Sequence, residues 1–201
     1  MNEELKKTLL NPIFKGNPIT VLVLGICSSL AVTVQLKGAC VMALSVIIVT
    51  GLSSFVVSLL RNSIPNRVRI IVQLVVVALM VILVDQVLKA YAYAVDKQLS
   101  VYIGLIITTC IVMGRIEAFA LGNKPIPSLL DGLANGVGYG LILIIVAFFR
   151  ELLGSGTLFG FQVLPAGYVP NNLVILPPFA LILLGCIIWV HRAFDKDLQE
   201  K

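Results

Sequence analysis

Ile106–Arg115 reads I-I-T-T-C-I-V-M-G-R. This apolar run sets a thiol, Cys110, between a threonine pair and an arginine. It belongs to a segment, Leu99–Gly114, shorter than the ~20 residues that cross a ~30 Å hydrocarbon core comfortably. A near echo lies at Val21–Leu30, V-L-V-L-G-I-C-S-S-L, around Cys27. Short segments interrupted by small residues at matching places in two halves mark a site near the bilayer midplane. The two thiols are therefore expected to meet there, in a redox centre shared with a partner subunit.

Composition supports a membrane setting. Of 201 residues, 59% are hydrophobic and 12% charged, and mean hydropathy is +1.03. Soluble domains average about 45–50% apolar and about 25% charged residues. The apolar residues come in long runs rather than in alternation, which selects helices over a membrane barrel. Met1–Lys7 carries charges of both signs and no A-x-A pattern follows, so the first segment is expected to stay in the mature protein. The formal charge of +5 sits at segment ends rather than in a patch, so nucleic acid is not the expected partner and the lipid bilayer is.

The expected fold is an all-α integral membrane protein with six transmembrane helices arranged as two inverted three-helix repeats. Residues 1–17 read as an amphipathic interfacial segment, 18–96 as the first repeat and 97–201 as the second. Segment one (about Pro18–Val34) and segment four (Leu99–Gly114) are short or broken. Segments two (Ala39–Leu60) and three (Val68–Leu88) are full length. Segment five (about Gly132–Phe149) carries Gly132, Gly136 and Gly140, a smooth face that admits another backbone. Segment six (Pro177–Phe194) opens on a proline pair that suits a helix start. With a cytoplasmic N-terminus, all of the 15 lysines and arginines except Lys37, Lys89, Lys97 and Arg150 fall on one side. The positive-inside rule then makes both termini cytoplasmic. F-V-V-S-L-L-R, ending at Arg61, and I-V-A-F-F-R, ending at Arg150, match at the ends of segments two and five.

Of the four cysteines, Cys40 and Cys186 read as small apolar residues, and Cys27 with Cys110 as metal ligands. Two thiols are too few, because iron–sulfur clusters and structural zinc usually take four ligands. His191, the only histidine, lies at the end of segment six, which disfavours a haem. A homodimer or a homologous partner must supply two more thiols. Asp85 is either an ion-pathway carboxylate or an interfacial residue paired with Lys89 at i+4. Asp131 is read as a helix N-cap with a possible role at a cytoplasmic ion mouth. Arg115 and Glu117 flank the segment-four site and anchor it at the interface.

Three motifs, T-T-C-I-V-M-G-R-I-E-A-F-A (108–120), D-G-L-A-N-G-V-G-Y-G (131–140) and F-F-R-E-L-L-G-S-G (148–156), resemble the NqrD/RnfE family of membrane subunits. N-R-V-R-I-I-V-Q (66–73) and V-D-Q-V-L-K-A-Y (84–91) favour its Na⁺-pumping branch. The resemblance implies a subunit of a Na⁺-translocating NADH:quinone oxidoreductase in the bacterial inner membrane. It implies a 2Fe-2S cluster held by Cys27, Cys110 and two cysteines of the homologous partner NqrE. Subunits A, B, C and F, with FAD, FMN, riboflavin and a further 2Fe-2S cluster, would complete the complex. The ion-pathway residues would be Asp85 and Asp131. The family pattern has Asn where Thr109 stands and Ala where Ile116 stands, and Thr109 keeps a hydroxyl for a cluster sulfur. Two other readings are an Rnf-type ferredoxin:NAD complex and an inverted-repeat secondary transporter. Symmetry-related thiols argue against the transporter, because solute binding has no need of them.

Overall fold

The computed structural model describes residues 17–65, 67–91, 104–158, 161–162 and 172–194. Residues 1–16 of the expected interfacial segment and the boundary between the repeats lie outside them. The described helices are α1 (Ile26–Val32), α2 (Leu36–Leu60), α3 (Arg69–Tyr91), α4 (Cys110–Arg115), α5 (Pro125–Gly154), α6 (Asn172–Ile175) and α7 (Pro177–Phe194). A π-helical turn, Ile116–Ala120, continues α4, and two-residue strands β1 (Thr157–Leu158) and β2 (Phe161–Gln162) pair antiparallel.

Four of these helices are long and apolar enough to cross a membrane: α2, α3 over Arg69–Val87, α5 and α7. They correspond to expected segments two, three, five and six. Segments one and four contribute only short helical pieces among the described residues.

Helices α2 and α5 form the core pair, and glycine makes their contact possible. A Cβ on Gly132 would lie 2.8 Å from the Thr50 carbonyl oxygen, and one on Gly136 2.8 Å from Ile47 Cα. From the other side, a Cβ on Gly51 would lie 2.8 Å from Leu133 Cδ2. The backbones therefore touch, which is how helices associate where lipid removes the hydrophobic drive. Two hydroxyls buried in α2 bond along their own helix, Thr50 Oγ1 to Val46 O at 2.6 Å and Ser53 Oγ to Val49 O at 2.5 Å. No water is available there to satisfy them.

Two expected boundaries are corrected. Segment five begins at Pro125, not at Gly132. Lys124 is extended, as a residue before proline prefers, and Pro125 and Pro127 fall in the first turn, where a missing N–H costs nothing. Segment four does not end at Gly114 or Arg115; it runs on through the π-helical turn to Ala120. Cys110 consequently opens a longer helical stretch than its sequence suggests.

Candidate metal centre

Cys27 and Cys110 each sit just past a break in the chain. Before Cys27 the backbone turns left-handed at Val23 (φ 56°) and Gly25 (φ 85°). A positive φ at a β-branched valine is a genuine outlier, held by Asn17, whose Oδ1 accepts the Ile19 N–H at 3.0 Å, and by the Leu24 N–H on Pro18 O at 2.9 Å. Gly25 is required twice over. Its φ suits glycine, and a Cβ there would strike the Tyr139 ring at 2.8 Å. The Tyr139 hydroxyl in turn shares a hydrogen bond with Ser28 Oγ at 2.7 Å, tying the first turn of α1 to α5. Ser28 also donates to Gly25 O at 3.1 Å. Tyr139→Phe is expected to cost about 1 kcal/mol, read as a small fall in the thermal midpoint of the protein.

Before Cys110 a helical turn over 104–107 stops at Thr108, and Thr109 is extended (φ −67°, ψ 120°). The break frees the Leu105 carbonyl, and both threonine hydroxyls donate to it, Thr109 at 2.7 Å and Thr108 at 3.2 Å. The Thr109 proton is thus engaged by its own backbone. Leu24 and Gly114 bring the two segments together, since a Cβ on Gly114 would lie 3.0 Å from Leu24 Cδ1.

The breaks share one small cavity of about 110 Å³, lined by Gly25, Cys27, Ser28, Leu105, Thr108, Thr109 and Cys110. Both thiols are exposed at the surface of the chain. Among the described residues no group of three or more His, Cys, Asp or Glu side chains could enclose a metal. Two soft, exposed ligands lining one cavity are a donor pair that suits a thiophilic metal, and they are too few to enclose one. Cys40 lines a different groove, between α2 and α3, and Cys186 lies with His191 in a third, between α5 and α7.

Charged residues surround the C-terminal end of α4. Arg115 forms a bidentate pair with Asp131, Nε to Oδ2 at 3.1 Å and Nη2 to Oδ1 at 2.5 Å. Asn135 Nδ2 reinforces it, on Asp131 Oδ1 at 3.0 Å. The Asp131 side chain is only 6% exposed. Glu117, in the π-helical turn, receives Gln73 Nε2 at 2.8 Å and pairs with Arg69 of α3.

Comparison with known proteins assigns the chain. A family described as Rnf-Nqr subunit, membrane protein, matches residues 5–188. The chain belongs to the Rnf-Nqr family. Among members of the Rnf-Nqr family, the D subunit of the Na(+)-translocating NADH-quinone reductase of Aeromonas salmonicida (strain A449) is 57% identical, over 98% of this chain and 97% of that protein. The protein of the same name from Aeromonas hydrophila subsp. hydrophila is also 57% identical over the same shares. The expected family is borne out, and the chain is a multi-pass membrane protein.

Of the candidate site residues, Cys27, Cys110 and Thr109 lie together at the cavity, and Arg115 with Asp131 lies at the far end of α4. Asp131 is not a helix N-cap. It sits beyond the first turn of α5, buried in an ion pair, because the helix starts at Pro125. The Arg115 charge is answered by Asp131. Asp85 stands apart, with the Lys89 ammonium on its Oδ2 at 2.5 Å, the i+4 pairing that suits an interfacial carboxylate. Sequence reasoning missed Tyr139, Gln73, the role of Arg150, and Glu151, whose Oε2 accepts the Leu36 N–H at the start of α2 at 2.6 Å. Arg150–Glu151, a charge pair inside an apolar run, was the available signal.

Proposed function

We propose that this chain is the D-type membrane subunit of a Na⁺-translocating NADH:quinone oxidoreductase and holds half of an iron–sulfur centre. The observation that carries the reading is the cavity shared by Cys27 and Cys110, both of them exposed. The other two thiolates would come from the homologous partner NqrE, and subunits A, B, C and F would carry FAD, FMN, riboflavin and the second 2Fe-2S cluster. When bound, the centre supplies one-electron transfer across the middle of the membrane. The chain's own residues do the rest. Gly25 and Thr109 break the two segments so that each thiol emerges at the start of a helix. Tyr139 and Ser28 fix one wall of the cavity, and Leu105 takes up the threonine hydroxyls of the other.

The inverted repeat is part of the same reading. It is supported by two broken segments, each opening a helix at a cysteine, and by the mutual packing of α2 and α5. Iron analysis of the purified complex tests the assignment. Cys27→Ser and Cys110→Ser should each lose the iron of this centre, whereas Cys40→Ser and Cys186→Ser should keep it. Unchanged iron in the first pair would overturn the reading.

For the ion, Asp131 is favoured over Asp85 because it is buried beside the cysteine-bearing helix. Any cation using its carboxylate must displace or share it with Arg115. Asp131→Ala is expected to raise the Na⁺ concentration needed for half-maximal activity more than it lowers the maximal rate. An unchanged Na⁺ dependence would leave Asp131 a purely structural partner of Arg115.

A further inference from the structure

Arg61 caps α2 and Arg150 lies four residues before the end of α5, and each reaches into a cysteine-bearing segment of the other half of the chain. Arg150 is 1% exposed. It donates Nη1 to Leu30 O at 3.1 Å and to Thr33 Oγ1 at 2.6 Å, at the C-terminal end of α1. Its Nε and Nη2 take Val174 O and Ile175 O at the end of α6. Arg61, the C-cap of α2, donates Nη1 to Gly122 O at 3.3 Å and Asn123 O at 3.0 Å, just past the π-helical turn that continues α4.

The parallel extends one bond further. Thr33 Oγ1, which accepts from Arg150, donates to Ser29 O at 2.6 Å. Asn123, whose carbonyl accepts from Arg61, donates its Nδ2 to Phe119 O at 3.1 Å. In both segments the last carbonyls of the helix are closed by a side chain four residues on, and that residue is held by an arginine. Ser29 O and Phe119 O also accept a backbone N–H, from Thr33 at 3.3 Å and Gly122 at 3.2 Å, so each side chain adds a second donor where helix-end carbonyls carry partial negative charge.

We propose that Arg150 and Arg61 are positioning residues for the two thiols. Arg150 fixes the segment that Cys27 opens, Arg61 fixes the segment that Cys110 opens, and the α2–α5 contact sets both relative to each other. The consequence for an iron centre rests on the reading of Cys27 and Cys110 as ligands; the clamps themselves do not.

The test is the alkylation rate of each thiol in the membrane-embedded complex, read by mass spectrometry with N-ethylmaleimide as the probe. Cys27 is followed in a Cys110→Ser background and Cys110 in a Cys27→Ser background, so neither thiol shares a ligand with the other. Arg150→Gln should speed labelling of Cys27 by about fivefold, the ratio that corresponds to roughly one lost hydrogen bond, and leave Cys110 unchanged. Arg61→Gln should do the reverse. Arg61→Lys should restore the normal rate, because a single nitrogen, Nη1, makes both of its bonds. Arg150→Lys should not, because an ammonium is a point donor that cannot span the acceptors of α1 and α6. Equal effects on both thiols, no effect on either, or an Arg61→Gln response at Cys27 would overturn the proposal. If Arg150→Gln does not assemble, Arg150→Lys and the Arg61 variants decide it in the same way. Iron content, measured separately, bears only on the ligand reading.

Discussion

In the assembled complex, Cys27→Ser or Cys110→Ser is expected to bring NADH-driven quinone reduction to background. Reduction of a soluble acceptor by the NADH-oxidising subunit should survive. Both thiols are exposed and sit at breaks held by other residues, Gly25 and Tyr139 on one side and the Thr108 and Thr109 hydroxyls on the other. Serine is close in size to cysteine and neither thiol is buried in the chain, so the fold of the subunit should survive the substitution, and recovery of the purified complex checks assembly. What serine removes is the soft thiolate that iron–sulfur chemistry requires. The same substitution at Cys40 or Cys186 removes a thiol from a different groove, and those variants should retain activity. Quinone reduction near the normal rate in either Cys27→Ser or Cys110→Ser would contradict the assignment.

Gly136→Leu is expected to prevent accumulation of the folded subunit. A Cβ at this position would meet the Ile47 Cα at 2.8 Å and its Cγ1 at 3.2 Å, and the clash falls on backbone rather than on a mobile side-chain end. Overpacking of a core costs typically about 1–3 kcal/mol when side chains can move aside. Here the helices themselves must part, and separation would also pull Arg61 and Arg150, at opposite ends of the antiparallel pair, from the segments they hold. The amount of subunit recovered in purified complex reads the effect. Gly185, with open space around its position, is the control, and Gly185→Leu should accumulate normally. Equal recovery of both variants would show that the α2–α5 contact is not a determinant of the fold.

The long helices were legible because their signal is local. Runs of apolar residues bounded by arginine or proline placed α2, α3 and α7 within a few residues, and the four-residue glycine spacing named the packing face of α5. The cysteine pair was legible too, since each thiol lies in a segment too short or too interrupted to span. What misled was charge. Arg115 read as the end of a segment and Asp131 as the start of another, because in isolation each belongs at an interface. Their pairing across sixteen positions removes that penalty, so α4 continues into a π-helical turn and α5 begins at Pro125. Arg150 read only as a charge ending segment five, yet a broken helix leaves carbonyls that need donors, and it is buried among them. A tertiary partner decides each of these positions, and no local pattern encodes it.

The most direct measurement is a density map of the assembled complex at the Cys27–Cys110 cavity, with anomalous scattering recorded at the iron edge. The account predicts an iron signal at the mouth of the cavity, bonded to the sulfurs of Cys27 and Cys110 and to two sulfurs of the neighbouring subunit. Two unmodified thiols with lipid or side chains between them, and no iron signal in the fully active complex, would contradict it.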